Sequence, residues 1–263
     1  MTNRLPRRHR RRRLAAVLLL PIFWACGEGV APEQRSAPAS ESPAAAAPTN
    51  PASPAQPAPP ADAAQAASLP TVVFLGDSLT AGYQLAESQA WPALLAERFA
   101  AEGLPFRAVN AGVSGDTSAG GLARLDWVLR AEPDVVVVEL GANDALRGQE
   151  LAATEANLRR ILERLDDAGV AVLLVGLEIP PNYGPEYARQ FSALYPRLAA
   201  EHGVPLVPFL LERVAAEPSL NLGDGIHPNA RGHELVAETV APHLSPLVEA
   251  AAAGEGAEAA ATK

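Results

Sequence analysis

Lysine is nearly absent: in 263 residues it occurs once, at Lys263. That excludes a P-loop lysine, a Schiff-base lysine and a Ser-Lys dyad from the folded part of the chain. Cysteine also occurs once, at Cys26, so no internal disulfide can form, and no Cys/His cluster has zinc-ligand spacing. Basic charge is scarce, with 21 Lys+Arg against 30 Asp+Glu and a formal net charge of −9. Arg4, Arg7, Arg8, Arg10, Arg11, Arg12 and Arg13 all precede residue 14, which leaves 14 basic residues to face 30 acidic ones, a charge of −16. A nucleic-acid partner is disfavoured, because phosphate binding requires a basic surface. The apolar stretch Leu14 to Trp24 has eleven residues, too short to span a bilayer as a helix.

An arginine cluster, that apolar stretch and Ala25-Cys26 together have the layout of a secretory signal over residues 1–26, so export is expected. A lone cysteine at the end of such a segment, followed by Gly27, resembles a bacterial lipoprotein cleavage site. Cys26 is then the lipidated residue and the membrane a partner through it; plain secretion with an incidental cysteine is the alternative. Residues 31 to 70 contain 15 Ala and 10 Pro without apolar periodicity, so residues 27–69 are expected as a disordered tether. Residues 247–263 are Ala/Glu-rich and expected as a flexible tail. With 48% hydrophobic residues the chain can bury one substantial core, placed at 70–246.

Within that span, strand-like and helix-like runs alternate. Strands are predicted at 71–75, 106–110, 135–138, 170–177 and 204–207; helices at 91–101, 122–130, 152–168, 186–200 and 230–243. Val135 to Val138 is β-branched throughout, as a strand buried on both faces should be. Leu158, Ile161, Leu162 and Leu165 recur at helical spacing. Five strands separated by helices imply an α/β fold with a parallel sheet covered on both faces, and such sheets bind ligands beyond the carboxyl ends of their strands.

The loops at those ends hold the candidates. Gly76-Asp77-Ser78-Leu79 follows the first strand and places a serine hydroxyl at the sheet rim, although Ser78 could equally be a turn or capping residue. A serine needs a base. Of the five histidines, His9 lies in the signal, His202 at a helix end, and His233 and His243 in the last helix as surface or interhelical residues. His227 differs: in Gly223-Asp224-Gly225-Ile226-His227-Pro228-Asn229 the glycines permit a sharp turn and Pro228 keeps His227 out of helical geometry. Asp224 can accept one ring N–H and leave the other nitrogen for the serine proton; a capped helix start is the plainer reading. Gly112, able to present a backbone N–H, and Asn143, able to present an amide, are candidate oxyanion donors with the N–H of Ser78, though either loop alone reads as an ordinary Gly/Asn turn. Glu139 is expected as a partly buried carboxylate paired with an arginine. No His-Glu-x-x-His and no dinucleotide fingerprint is present, and Thr80 stands where the Gly-x-Ser-x-Gly elbow of α/β-hydrolases needs glycine.

These residues resemble the GDSL or SGNH hydrolase family, with Ser78 in Gly-Asp-Ser-Leu, Gly112, Asn143 in Gly-Ala-Asn-Asp and His227 in Asp-Gly-Ile-His-Pro-Asn, in order across residues 71 to 244. Ser114-Gly-Asp-Thr-Ser118, Val138-Glu-Leu-Gly141, Leu146-Arg-Gly148, Pro181-Asn-Tyr-Gly184 and Phe191-Ser-Ala-Leu-Tyr-Pro196 are similar to the bacterial subgroup of arylesterases, acyl-CoA thioesterases and lysophospholipases, usually periplasmic. The resemblance implies a flavodoxin-like three-layer α/β/α fold with strand order 2-1-3-4-5. It implies Ser78 as nucleophile, His227 as base, Asp224 as its orienter, and Ser78, Gly112 and Asn143 as the oxyanion hole. Ala145, Leu146, Arg147 and Gly148 fall in a segment similar to a mobile loop that closes over the acyl chain, with Ile179 and Pro180 as further substrate contacts. The implied substrate is a small-molecule or lipid acyl ester or thioester, with no metal or organic cofactor; a monomer is expected. A carbohydrate or peptidoglycan O-acetylesterase is the rival enzyme, and a non-catalytic acyl- or glycan-binding lipoprotein the rival of another class.

Overall fold

The computed structural model describes residues 69–180 and 183–254. The signal 1–26 with Cys26, the tether as far as residue 68, Pro181 and Asn182 of the Pro-Asn-Tyr-Gly motif, and the tail from residue 255 lie outside the described residues.

Five parallel strands, β1 (Thr71–Gly76), β2 (Arg107–Gly112), β3 (Val135–Glu139), β4 (Ala171–Val175) and β5 (Leu206–Val207), form one sheet in the order 2-1-3-4-5. The helices are α1 (Ser78–Ala81), α2 (Trp91–Ala101), α3 (Ser118–Ala123), α4 (Leu125–Leu129), α5 (Ala142–Leu146), α6 (Leu151–Asp167), α7 (Pro185–Ser192), α8 (Leu194–His202) and α9 (Ala230–Ala252). β1 and β3 are buried at every position, as strands with neighbours on both edges and helices on both faces must be. α2 packs on α9 on one side of the sheet, while α6 packs against α3 and α8 on the other, giving three layers. Phe74 anchors the first side, edge-on to Trp91 with ring centroids 5.0 Å apart. The α6 stripe Leu158, Ile161, Leu162 and Leu165 is buried, as its spacing predicted. None of the described helices is long and apolar enough to cross a membrane.

The register fixes where chemistry can occur. Gly76 at the end of β1 pairs with Gly112 of β2 and with Glu139 of β3, so the loops carrying Ser78, Gly112 and Asn143 leave the sheet side by side. The chain goes from β1 to one edge and then returns past it, which makes β1 the switch point where such sheets open a crevice.

Three helix predictions are revised. Residues 118–130 form two helices broken at Arg124, starting earlier than expected because Thr117 caps the Gly120 N–H at 3.1 Å; a Cβ at Gly121 would lie 2.2 Å from the tip of the Leu140 side chain. Residues 185–202 are broken at Ala193, since Pro196 has no N–H to give the Ser192 carbonyl. α9 continues to Ala252, into the segment expected as tail, because Leu244 and Val248 extend its buried stripe beyond Val240.

Candidate active site

Asp77 caps α1 by accepting the Leu79 N–H at 2.9 Å, which sets Ser78 at the first helical position, half-buried at the sheet rim. His227 arrives from the opposite side on a loop closed at its base by the Asn221–Pro228 bridge and by a Leu222 N–H to His227 carbonyl bond of 2.7 Å. His227 Nε2 lies 2.9 Å from Ser78 Oγ, and Nδ1 lies 2.8 Å from Asp224 Oδ2. An ionised carboxylate only accepts, so Nδ1 carries the proton and Nε2 is left to accept from the serine hydroxyl. The Ile226 and His227 backbone N–H groups hold the Asp224 carboxyl down at about 2, so it stays charged at neutral pH. A hydroxyl, an imidazole and a carboxylate in this sequence can deliver a nucleophile, take its proton and return that proton to a leaving group.

Asn143 lies on α5, entered through Gly141 at φ 122°, and donates from Nδ2 to Asp77 Oδ2 at 2.9 Å. Asp144, the next residue, is fully buried and accepts from the Ser118 N–H at 2.8 Å and the Ser118 hydroxyl at 2.5 Å, so the block carrying Asn143 is bolted to the start of α3. Arg124 ties the same rim from below, donating to the carbonyls of Gly76 at 3.0 Å and Ala111 at 2.7 Å and to Asp116 at 2.7 Å.

Residues 74–235 match the GDSL-like Lipase/Acylhydrolase family. The chain belongs to that family. Esterase TesA of Pseudomonas aeruginosa is 46% identical over 183 residues, covering 69% of this chain and 91% of that protein. Thioesterase 1/protease 1/lysophospholipase L1 of Escherichia coli is also 46% identical over 183 residues, covering 69% and 86%. A crystal structure of the psychrotrophic esterase EstA from a Pseudoalteromonas species, inhibited by monoethylphosphonate, shares 33% identity with a TM-score of 0.65 over 68% of this chain and 98% of that one. With these relatives, this GDSL-like hydrolase is a serine esterase.

The structure of this GDSL-like hydrolase alters three assignments made from sequence. Gly112 does not offer a free N–H: it donates to Asn110 Oδ1 at 2.9 Å, and Gly112 is glycine because a Cβ would lie 2.3 Å from the Ala81 nitrogen. Gly115, three residues on at φ 80°, has an N–H with no hydrogen-bond partner among the described residues, and its carbonyl accepts from Arg147 at 2.8 Å. Ala145 is fully buried inside α5 and so belongs to the core, whereas Leu146, Arg147 and Gly148 are exposed. That stretch is tied down by the Tyr183 hydroxyl to the Leu146 carbonyl at 2.7 Å and by the Tyr187 hydroxyl to the Gln149 carbonyl at 2.8 Å. Ile179 is buried and Pro180 exposed beyond β4. Glu139 is fully buried with no arginine partner among the described residues: Oε2 accepts from the Thr80 hydroxyl at 2.7 Å and the Asp77 N–H at 3.2 Å. His233 is interhelical, one of the two placements expected for it: it is buried where α9 meets α2, its Nδ1 accepting the Trp91 N–H at 3.2 Å. Among the described residues no group of three or more His, Cys, Asp or Glu side chains is placed to hold a metal ion.

The buried pair Asp77 and Glu139 gives a pH signature. Burial pushes Asp77 up to about 6, against the opposing pull of the Leu79 N–H and Asn143. Burial, with the Asp77 charge adding to it, holds Glu139 well above the ordinary carboxyl range. Raised carboxyls favour the protonated fold, so the stability that Asp77 contributes is complete below 3.8 and is lost as pH rises through about 6. His233 works in the opposite sense, because burial lowers it to about 4, so its contribution is lost as pH falls from 6.5 toward that value. Asp77→Asn separates the two. Its stability deficit relative to the unaltered protein should shrink by about 1–3 kcal/mol between about pH 4 and about pH 7.5. Urea denaturation at the two pH values measures this, and a deficit independent of pH would contradict the assignment.

Proposed function

We propose that Ser78 attacks the carbonyl of an acyl ester or thioester, that His227 takes the hydroxyl proton and passes it to the departing alcohol or thiol, and that water then releases the acid from the acyl-serine. Asp224 fixes the imidazole tautomer and stabilises its charged form. The observation that carries this reading is the continuous line from Asp224 through His227 to Ser78 at 2.8 and 2.9 Å. The oxyanion that forms is met by the Ser78 N–H at the start of α1, where helix N–H groups lack intrahelical partners, by the Asn143 amide and by the Gly115 N–H.

Val113, Leu146, Tyr183 and Ile226 are large apolar residues left exposed on the segments that frame this line, and they favour an acyl chain over a sugar ring as the group beside the carbonyl. Relatives named esterase and thioesterase 1/protease 1/lysophospholipase L1 fit the same substrate class. We extend the proposal to export by residues 1–26 and anchoring through a lipid on Cys26; a Cys26→Ser chain that stays with the membrane fraction would count against the anchor.

The test of substrate class is a series of p-nitrophenyl esters from acetyl to palmitoyl. The expected profile rises to an optimum at medium or long chains and disappears in Ser78→Ala. A serine-dependent profile confined to acetyl would instead favour O-acetylated glycans.

A further inference from the structure

We propose that Tyr83 is a positioning residue for the imidazole of His227: its ring sets the tilt of the base and favours the charged form that the base takes in each turnover. The proposal rests on the assignment of His227 as that base. Both hydrogen bonds of the His227 ring, to Asp224 and to Ser78, are made at ring edges, and they fix the directions of two nitrogens without pressing on a face. The loop is held through its backbone, while the residues just before His227, Gly223, Asp224, Gly225 and Ile226, are all exposed. Tyr83 supplies the missing contact, with ring centroids 4.5 Å apart and planes inclined at 37°.

The backbone delivers that ring deliberately. The Tyr83 N–H donates to the carbonyl of Ser78 at 3.2 Å, so one residue is tied by its main chain to the serine and by its side chain to the histidine. It stands between two left-handed residues, Gly82 at φ 73° and Gln84 at φ 61°, and the second is a conformation that a side chain such as glutamine seldom adopts. Tyr83 is 37% exposed, too open for its ring to be explained by core packing. An aromatic face attracts a cation placed over it, and an imidazolium is the cation formed here when the serine loses its proton. The charged or titratable groups facing His227 are Asp224 from its own loop, Asp77 from the start of α1, and His233 from α9, which burial keeps neutral.

The test compares the full chain with Tyr83→Phe, Tyr83→Trp, Tyr83→Leu and His227→Ala on one p-nitrophenyl ester, across the pH range in which imidazole titrates. Tyr83→Phe and Tyr83→Trp keep a ring face and should stay within about twofold of the unaltered enzyme, whereas Tyr83→Leu should lose about 3- to 30-fold in kcat with KM unchanged. The acid limb of its kcat/KM profile should also move to lower pH, because the protonated base has lost a stabilising neighbour. Three results would overturn the proposal: a Tyr83→Leu enzyme with unaltered kcat and acid limb, a loss carried wholly in KM, or equal losses in Tyr83→Phe and Tyr83→Leu. Activity retained in His227→Ala would overturn the assignment of the base, while activity lost there beside an unaffected Tyr83→Leu would overturn the role of the ring alone.

Discussion

Replacing Ser78 by Ala should lower kcat by about 10⁴- to 10⁶-fold, and adding His227→Ala to that variant should cost almost nothing more. The two side chains act as one unit: the imidazole has only the serine proton to take, and the hydroxyl has only the imidazole to give it to, across the 2.9 Å between them. Once either is gone, what remains is oxyanion stabilisation and binding. The fold should not suffer, because Ser78 is half-buried and among the described residues its side chain makes no hydrogen bond except to His227. Near-additive losses from the two substitutions would mean that the residues serve separate purposes. Steady-state kinetics on a medium-chain ester, with circular dichroism as the control for folding, measures both quantities.

Asn143→Ala should reduce kcat by about 10²- to 10³-fold while KM changes little, since the amide serves a negative charge that exists only as the tetrahedral intermediate forms. The geometry already prepares it for this. One amide N–H is held by Asp77 Oδ2 at 2.9 Å, which aims the other without requiring substrate. Asp77 is in turn held by the Leu79 N–H, and Asp144 fastens α5 through Ser118, so the donor sits on a rigid support. A loss expressed in KM with kcat preserved would place Asn143 in ground-state binding instead.

Much of this site was legible because each strand end spends its residues differently. Val135 to Val138, flanked by charge, could hardly be anything but a central strand, whereas the strand order came from the family resemblance and not from the pattern of the residues. Pro228 and the paired glycines around Asp224 marked His227 as a loop residue for a reason of backbone sterics. The glycine of the second block was misread for an equally physical reason. Asn110-Ala-Gly112 is a short Asx arrangement in which the asparagine oxygen takes the N–H two residues on, so the Gly112 N–H is occupied from within its own loop. Glu139 was harder to read. Nothing in Val-Val-Val-Val-Glu states that a carboxyl will be enclosed without a cation, because that depends on Thr80 and the Asp77 N–H arriving from the cap and helix that follow β1. Tyr83 followed the nucleophile motif in plain view, but its meaning depends on a loop 144 residues further along, which only the fold brings to it.

The most direct test of the account is to find where a serine-directed phosphonate attaches. The unaltered protein, treated with a p-nitrophenyl alkylphosphonate and digested, should carry one adduct, on Ser78, and His227→Ala should label far more slowly. An unlabelled protein, or an adduct on any other residue, would contradict the assignment of Ser78 as the nucleophile.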